Sequence, residues 1–135
     1  MAAYNKFNAF SADVLNKIHN LGADQLTVAL TAVAPVATNA VLADLTQVSY
    51  TNLSSRNLTT TSSTQTAGLY KLLIANLVLT ASGAVAGFRY VIIYNSTPAA
   101  GNLIAWFDYG STITLASGDT LTISLDQASG TLTLQ

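Results

Sequence analysis

The chain has 135 residues, half of them hydrophobic and only 8% charged, with six acidic and five basic side chains and a formal charge of −1. That length is one domain's worth, enough for a core but too little for two, and the charge content is about a third of the globular average. Five scattered basic residues form no stripe that would neutralise a phosphate backbone, which sets nucleic acid aside, and the lack of cysteine sets aside disulfides and thiolate metal sites.

Surface polarity has to come from Thr, Ser and Asn, since the chain contains no glutamate. Threonine suits a pleated, half-exposed face, so the composition favours β-structure. The opening MAAYNKFNAF lacks the charged start and long apolar run of a secretory signal, which reads as a protein made in a cytoplasm. Phe7, Phe10, Val14, Ile18 and Leu21 then recur at steps of three and four, one stripe of a helix. The spacing predicts a helix from Ser11 to Leu21, with Ser11 as N-cap, Asp13 in the first turn and Gly22 as the terminating glycine. Residues 1–22 thus read as an arm and helix at the head of a single domain spanning 1–135.

After the helix the period becomes two. Gln25 to Thr31 alternates Leu26, Val28 and Leu30 against polar or small neighbours, a strand with one buried face. Ala34 to Asp44 is small-residue and Pro-bearing, a long connection with one helical turn at Val41 to Leu45. Further strands are predicted at Leu45 to Thr51, Arg56 to Ser62, Leu69 to Thr80, Phe88 to Asn95, Leu103 to Tyr109, Thr112 to Ala116, Thr120 to Leu125 and Thr131 to Leu134. Turn chemistry separates them at Asn52, Ala67-Gly68, Ser82-Gly83, Pro98 to Gly101, Gly110, Ser117 to Asp119 and Ser129-Gly130. Gly68 to Phe88 approaches the length of a membrane span, but Lys71, Asn76 and the Ser82-Gly83 break read better as strands. Eight or so short strands with one helix predict a mainly β fold, an antiparallel β-sandwich of jelly-roll type with a short N-terminal α-helix.

Two strands are apolar on both faces. In FRYVIIYN, Phe88, Tyr90, Ile92 and Tyr94 oppose Val91 and Ile93; in LIAWFDYG, Leu103, Ala105, Phe107 and Tyr109 oppose Ile104 and Trp106. One face is met by the opposing sheet of a sandwich. The second requires the helix, a long loop or another molecule. With a mean hydropathy of +0.43, the expectation is self-association through a residual apolar surface.

Chemistry-bearing residues are few. His19 is the only histidine, on the helix flank with no nucleophile in view. The aspartates Asp13, Asp24, Asp44, Asp108, Asp119 and Asp126 form no metal-ligand pattern, and no phosphate loop or nucleophile elbow occurs. Three glycan-acceptor triplets, at Asn52, Asn57 and Asn95, fit chance in an Asn- and Thr-rich chain. No catalytic residue, cofactor site or metal site is assigned, and the chain reads as a non-enzyme. Arg89 and Asp108 stand out as charges inside apolar strands, to be placed near strand ends and paired with each other or with a partner subunit. Together with Tyr4, Phe7, Phe10 and Trp106 they are the candidate interface residues.

The blocks YNKFNAF, HNLGADQLTVALTAVAP, VLADLTQVSYTNLSSRNLTTT, FRYVIIYN and LIAWFDYGSTITLASGDTLTISLD resemble small virion proteins of tailed bacteriophages, most closely head decoration or cement proteins. The resemblance covers nearly the whole chain and rests on texture and short blocks rather than on a catalytic motif. It implies a homo-oligomer, dimer or trimer, bound through the major capsid protein to the outside of the head, with neither nucleic acid nor membrane as partner. The alternative within the same class is a tail, baseplate or receptor-binding component. An N-terminal helix ahead of the sheet is not something a plain jelly roll requires.

Overall fold

The computed structural model describes residues 3–125 and 128–135. In chain order it contains β1 (Tyr4–Lys6), α1 (Ala9–Leu15), β2 (Leu26–Thr31), a 3-10 turn (Leu42–Asp44), β3 (Thr60–Thr66), β4 (Leu69–Ile74), β5 (Leu77–Thr80), β6 (Val85–Asn95), β7 (Leu103–Leu115), β8 (Thr120–Ile123) and β9 (Leu132–Leu134). The architecture is mainly β, with one short helix near the N-terminus. Strands pair in the orders β1-β7-β6-β2, β3-β4-β9 and β5-β8, and every pairing is antiparallel.

The four-stranded sheet is the middle layer. On one face Leu26, Val28, Leu30, Val91, Ile93, Ala105 and Phe107 join Leu72, Ile74, Leu79, Ile123 and Leu132 of the two smaller sheets in the main core. On the other face Ala29, Ile92, Tyr94 and Leu103 form a second buried cluster. Its cover comes from the chain itself: Phe7 is fully buried there, and Leu42 and Leu45 of the long connection pack beside it. The connection is held down by backbone bonds from Leu42 N to Gly101 O and from Leu103 N to Ala40 O, both 2.9 Å. Gly101 permits the close approach, because its φ is +68° and a β-carbon there would stand 2.9 Å from Leu42 Cβ.

The alternation read for Leu103 to Tyr109 changes hand within the strand. Ile93 faces Ala105 and Tyr94 faces Leu103, so two steps of β7 span one of β6. This bulge returns Ile104 and Ala105 to the main core and sends Leu103 and Trp106 to the second cluster. Lower down, Tyr90 faces Asp108 while Phe88 faces Ile113. The extra residues around Gly110, at φ +82°, bulge outward, so the two strands expected on either side of this glycine are one.

The outer edge of β2 is completed by an irregular segment rather than a strand. Leu58 N donates to Leu26 O, Val28 N to Arg56 O and Val48 N to Leu30 O. Between these, side chains replace backbone: the Tyr50 hydroxyl accepts from Leu30 N at 3.0 Å and donates to Gln47 Oε1 at 2.7 Å. The Arg56 guanidinium donates to Val28 O and lies 3.5 Å over the Tyr50 ring. An edge that would otherwise template another chain is therefore closed.

Several boundaries correct the sequence reading. Leu45 to Thr51 is this irregular cover, bridged to β2 only at Gln47, and the strand expected from Arg56 begins at Thr60. Leu69 to Thr80 is two strands of different sheets; at the break Ala75 N bonds Thr59 O and Asn76 Oδ1 accepts from Leu125 N. The strand expected to end at Leu125 ends at Ile123. The helix starts at Ala9 and stops at Leu15, six residues short of expectation. Ser11 is inside it and accepts from Lys6 Nζ at 2.8 Å, while Asn8 is the N-cap. Ile18 N bonds Asp13 O and Lys17 N bonds Val14 O, a Schellman closure in which Lys17, at φ 68°, takes the left-handed position that glycine normally fills.

Replacing Tyr50 with Phe tests the closure of β2. It orphans the buried Leu30 N–H, so a loss of about 1–3 kcal/mol in chemical denaturation is expected. An unchanged midpoint would show that the hydroxyl is dispensable.

Candidate functional site

Of the six candidate interface residues, the fold turns two inward. Phe7 lies in the second cluster against Trp106, with ring centroids 4.5 Å apart, and Phe10 lies in the main core. The two phenylalanines thus pack on opposite sides of the sheet, and their available surface is spent on folding. Trp106 is half-buried. Tyr4 remains 40% exposed on the three-residue edge strand β1, its ring edge-on to Phe107 at 5.9 Å.

Arg89 and Asp108 pair with each other, Nε to Oδ1 at 2.7 Å and Nη2 to Oδ2 at 2.9 Å. They sit at the bulge inside the long ribbon rather than at strand ends, and Asp108 Oδ1 also accepts from Gly110 N at 2.7 Å. The guanidinium hydrogen bonds, followed by the Gly110 amide, hold the Asp108 carboxyl below the usual carboxylate range. The bidentate geometry fixes the bulge. Both side chains keep more than a third of their surface in solvent, so the pair shapes the exposed surface rather than the core.

A second polar cluster escaped the sequence reading. Its centre is Asn95, fully buried at the end of β6. Asn95 Nδ2 is 3.1 Å from His19 Nδ1 and donates to Asp24 Oδ2, while Asn95 Oδ1 accepts from Thr97 N at 3.0 Å. Asp24 Oδ2 also accepts from Asn20 N at 2.7 Å, and Asp13 Oδ2 accepts from Asn102 Nδ2 at 2.9 Å. With Nδ1 accepting from the amide, the imidazole proton sits on Nε2. That nitrogen is buried without a hydrogen-bond partner, and Asp13 Oδ2 is 3.9 Å away. Phe10 packs on the ring at 5.2 Å. Among the described residues no hydroxyl bonds to the imidazole, so the cluster is a clasp joining α1, the turn after it and the end of β6. The only available signal was an asparagine closing an otherwise apolar strand.

Asp44 caps the 3-10 turn by accepting from Ala40 N and Val41 N. Asp119 accepts from Ala116 N at the β7–β8 turn. Asp126 lies outside the described residues. Among the described residues no group of three His, Cys or acidic side chains converges as metal ligands, and no helix is long and apolar enough to cross a membrane. Exposure instead marks Leu15 at 86%, which the sequence reading passed over, and Ile18 at 41%, which it had placed on the buried stripe, along with Val33, Val36, Val78 and Leu134 at more than half. Leu15 falls off the helical stripe, and Ile18 follows the helix end rather than lying on its buried face. Comparison with protein-family models, curated proteins and solved structures finds no match.

Burial lowers the His19 pKa from its ordinary 6.5, against the opposite pull of Asp13 and Asp24. The neutral ring is therefore the form the fold prefers. Its contribution to stability is complete above pH 6.5 and declines as pH falls from there toward the folded-state value. His19→Asn, which keeps an acceptor for Asn95, is expected to remove that decline in denaturation series across this window; parallel curves for the two proteins would contradict the assignment.

Proposed function

We propose that this chain is a virion structural protein, a decoration or cement protein that binds the outside of a tailed-phage head as a homo-oligomer and bridges neighbouring major capsid subunits. The blocks that resemble such proteins motivate the reading, and the physical character of the surface supports it. Polarity comes from hydroxyls and amides rather than charge, so binding would depend little on salt. The observation that carries the reading is Leu15, 86% exposed on α1, beside Ile18 on the turn that ends the helix. Phe10 anchors this short helix in the core while Leu15 is left in water, and Leu15 is the side chain we assign to the contact. Burying it contributes about 1.5–3 kcal/mol per copy, and many copies on one lattice add through multivalency.

This reading moves the contact from Phe7 and Phe10 to Leu15 and Ile18. The second apolar face of the central sheet is covered within the chain, so it supplies no surplus surface for a partner. Tyr4, on the edge strand, remains available at the rim.

Locating the protein in an electron-microscopic reconstruction of its particle tests the proposal. Density at local twofold or threefold positions of the head is expected, and Leu15→Asp is expected to lower occupancy by about tenfold or more while leaving the denaturation midpoint of the free protein unchanged. Density confined to the tail tip would favour the receptor-binding alternative, and full occupancy by Leu15→Asp would remove Leu15 from the contact.

A further inference from the structure

Between the turn that follows α1 and the β3-β4-β9 sheet lies a cleft of about 440 Å³. That volume is in the lower range of small-ligand sites. Its apolar wall is made by Val14, Leu21, Tyr70, Leu132 and Leu134. Leu132 belongs to the main core and Val14, Leu21 and Tyr70 pack against it, so the wall is the outer side of that core.

The polar part of the lining has one sign. Lys17 is the only formally charged side chain in it, and among the described residues no carboxylate lies within ion-pair distance of its ammonium. The lysine occupies the left-handed position at which glycine is favoured, so the fold carries backbone strain while presenting a cation at the cleft. Opposite, Ser63 Oγ and Tyr70 OH are hydrogen-bonded at 2.8 Å. Two hydroxyls share one proton in that bond, which leaves the second O–H free to donate. His19 backs the wall, but its Nε2–H is buried 3.9 Å from Asp13 Oδ2 and gives a ligand no donor. The lining therefore offers a hydroxyl donor and a positive charge above an apolar floor.

We propose that this cleft binds a small amphipathic carboxylate, an unbranched aliphatic chain lying on Leu21, Leu132, Leu134 and Tyr70 with its carboxylate at the Lys17 ammonium. Charge complementarity selects the head group, and the aliphatic wall selects the tail. A neutral amphiphile of the same length satisfies the wall but leaves Lys17 without a counter-charge. A phosphate or sulfate without a tail meets the lysine but forfeits the apolar contact. The proposal is independent of the docking reading, because it concerns the free chain.

The test is a titration of the full-length protein with hexanoate, octanoate and 1-octanol, followed by methyl and amide NMR. Saturable shifts are expected at Leu21, Tyr70, Leu132 and Leu134. Each added methylene should tighten binding about fourfold, making octanoate more than tenfold tighter than hexanoate. Lys17→Gly, which removes the ammonium and relaxes the left-handed backbone, should weaken octanoate by about two- to fivefold, the range of an exposed ion pair, and leave octanol unchanged. Ser63→Trp, at an exposed position on the edge strand β3, should abolish binding of both. Absence of saturable shifts at these residues, or octanoate binding unaltered by either variant, would overturn the proposal.

Discussion

The constraint on which this structure rests is a sheet that is apolar on both faces. β6 and β7 are rich in large hydrophobic side chains in both directions, and water must be kept from each of them. One face is answered in the usual way, by the smaller sheets closing the sandwich. The other is answered by the chain's own peripheral parts: the N-terminal arm inserts Phe7, and the long connection between β2 and β3 lays Leu42 and Leu45 across Ile92 and Tyr94. The arm then carries Phe10 to the main core, so residues a few positions apart in sequence fasten both layers. Much of the hydrophobicity in the composition is absorbed here.

The polar devices serve the same frame. Tyr50 and Arg56 complete the edge of β2 where the backbone departs from it, which spares the sheet an open edge at a strand buried along its whole length. The Arg89–Asp108 pair pins the bulge that lets β7 continue past Gly110 as one strand. The His19–Asn95–Asp24 clasp ties the turn after α1 to the end of β6. Each polar group acts where regular pairing stops, so a chain with few charges places them at its irregularities.

The class of fold was legible in the sequence because its signals are local. Leu26, Val28 and Leu30 alternate, and the observed β2 runs from Leu26 to Thr31, although both its faces are buried where the alternation suggested one; the Ser117 to Asp119 turn separates β7 from β8 as its residues suggest. What was not legible depends on distant partners. Phe7 and Phe10 look like members of one helical stripe, yet they serve opposite faces of the sheet, and the helix ends through Lys17 rather than Gly22. Leu45 to Thr51 alternates like a strand, but a tyrosine hydroxyl takes the place of its ladder. The Asn76 break in an apolar run and the bulges in β7 exist only in relation to strands far away in sequence. The candidate surface suffered most: the aromatic residues chosen for an interface include Phe7, fully buried, and Phe10, a member of the main core, while Leu15, unremarkable by type, is the most exposed of the large hydrophobic side chains among the described residues.

Phe7 is the central cover for the second face of the central sheet. The most direct measurement is the equilibrium unfolding of Phe7→Ala at low protein concentration, with sedimentation recorded on the same samples. A loss of about 3–5 kcal/mol, the usual consequence of emptying a buried phenylalanine site, with no dependence on protein concentration, is the predicted result. Unchanged stability accompanied by a change in self-association would contradict it, for it would show that the phenylalanine meets another molecule rather than its own sheet.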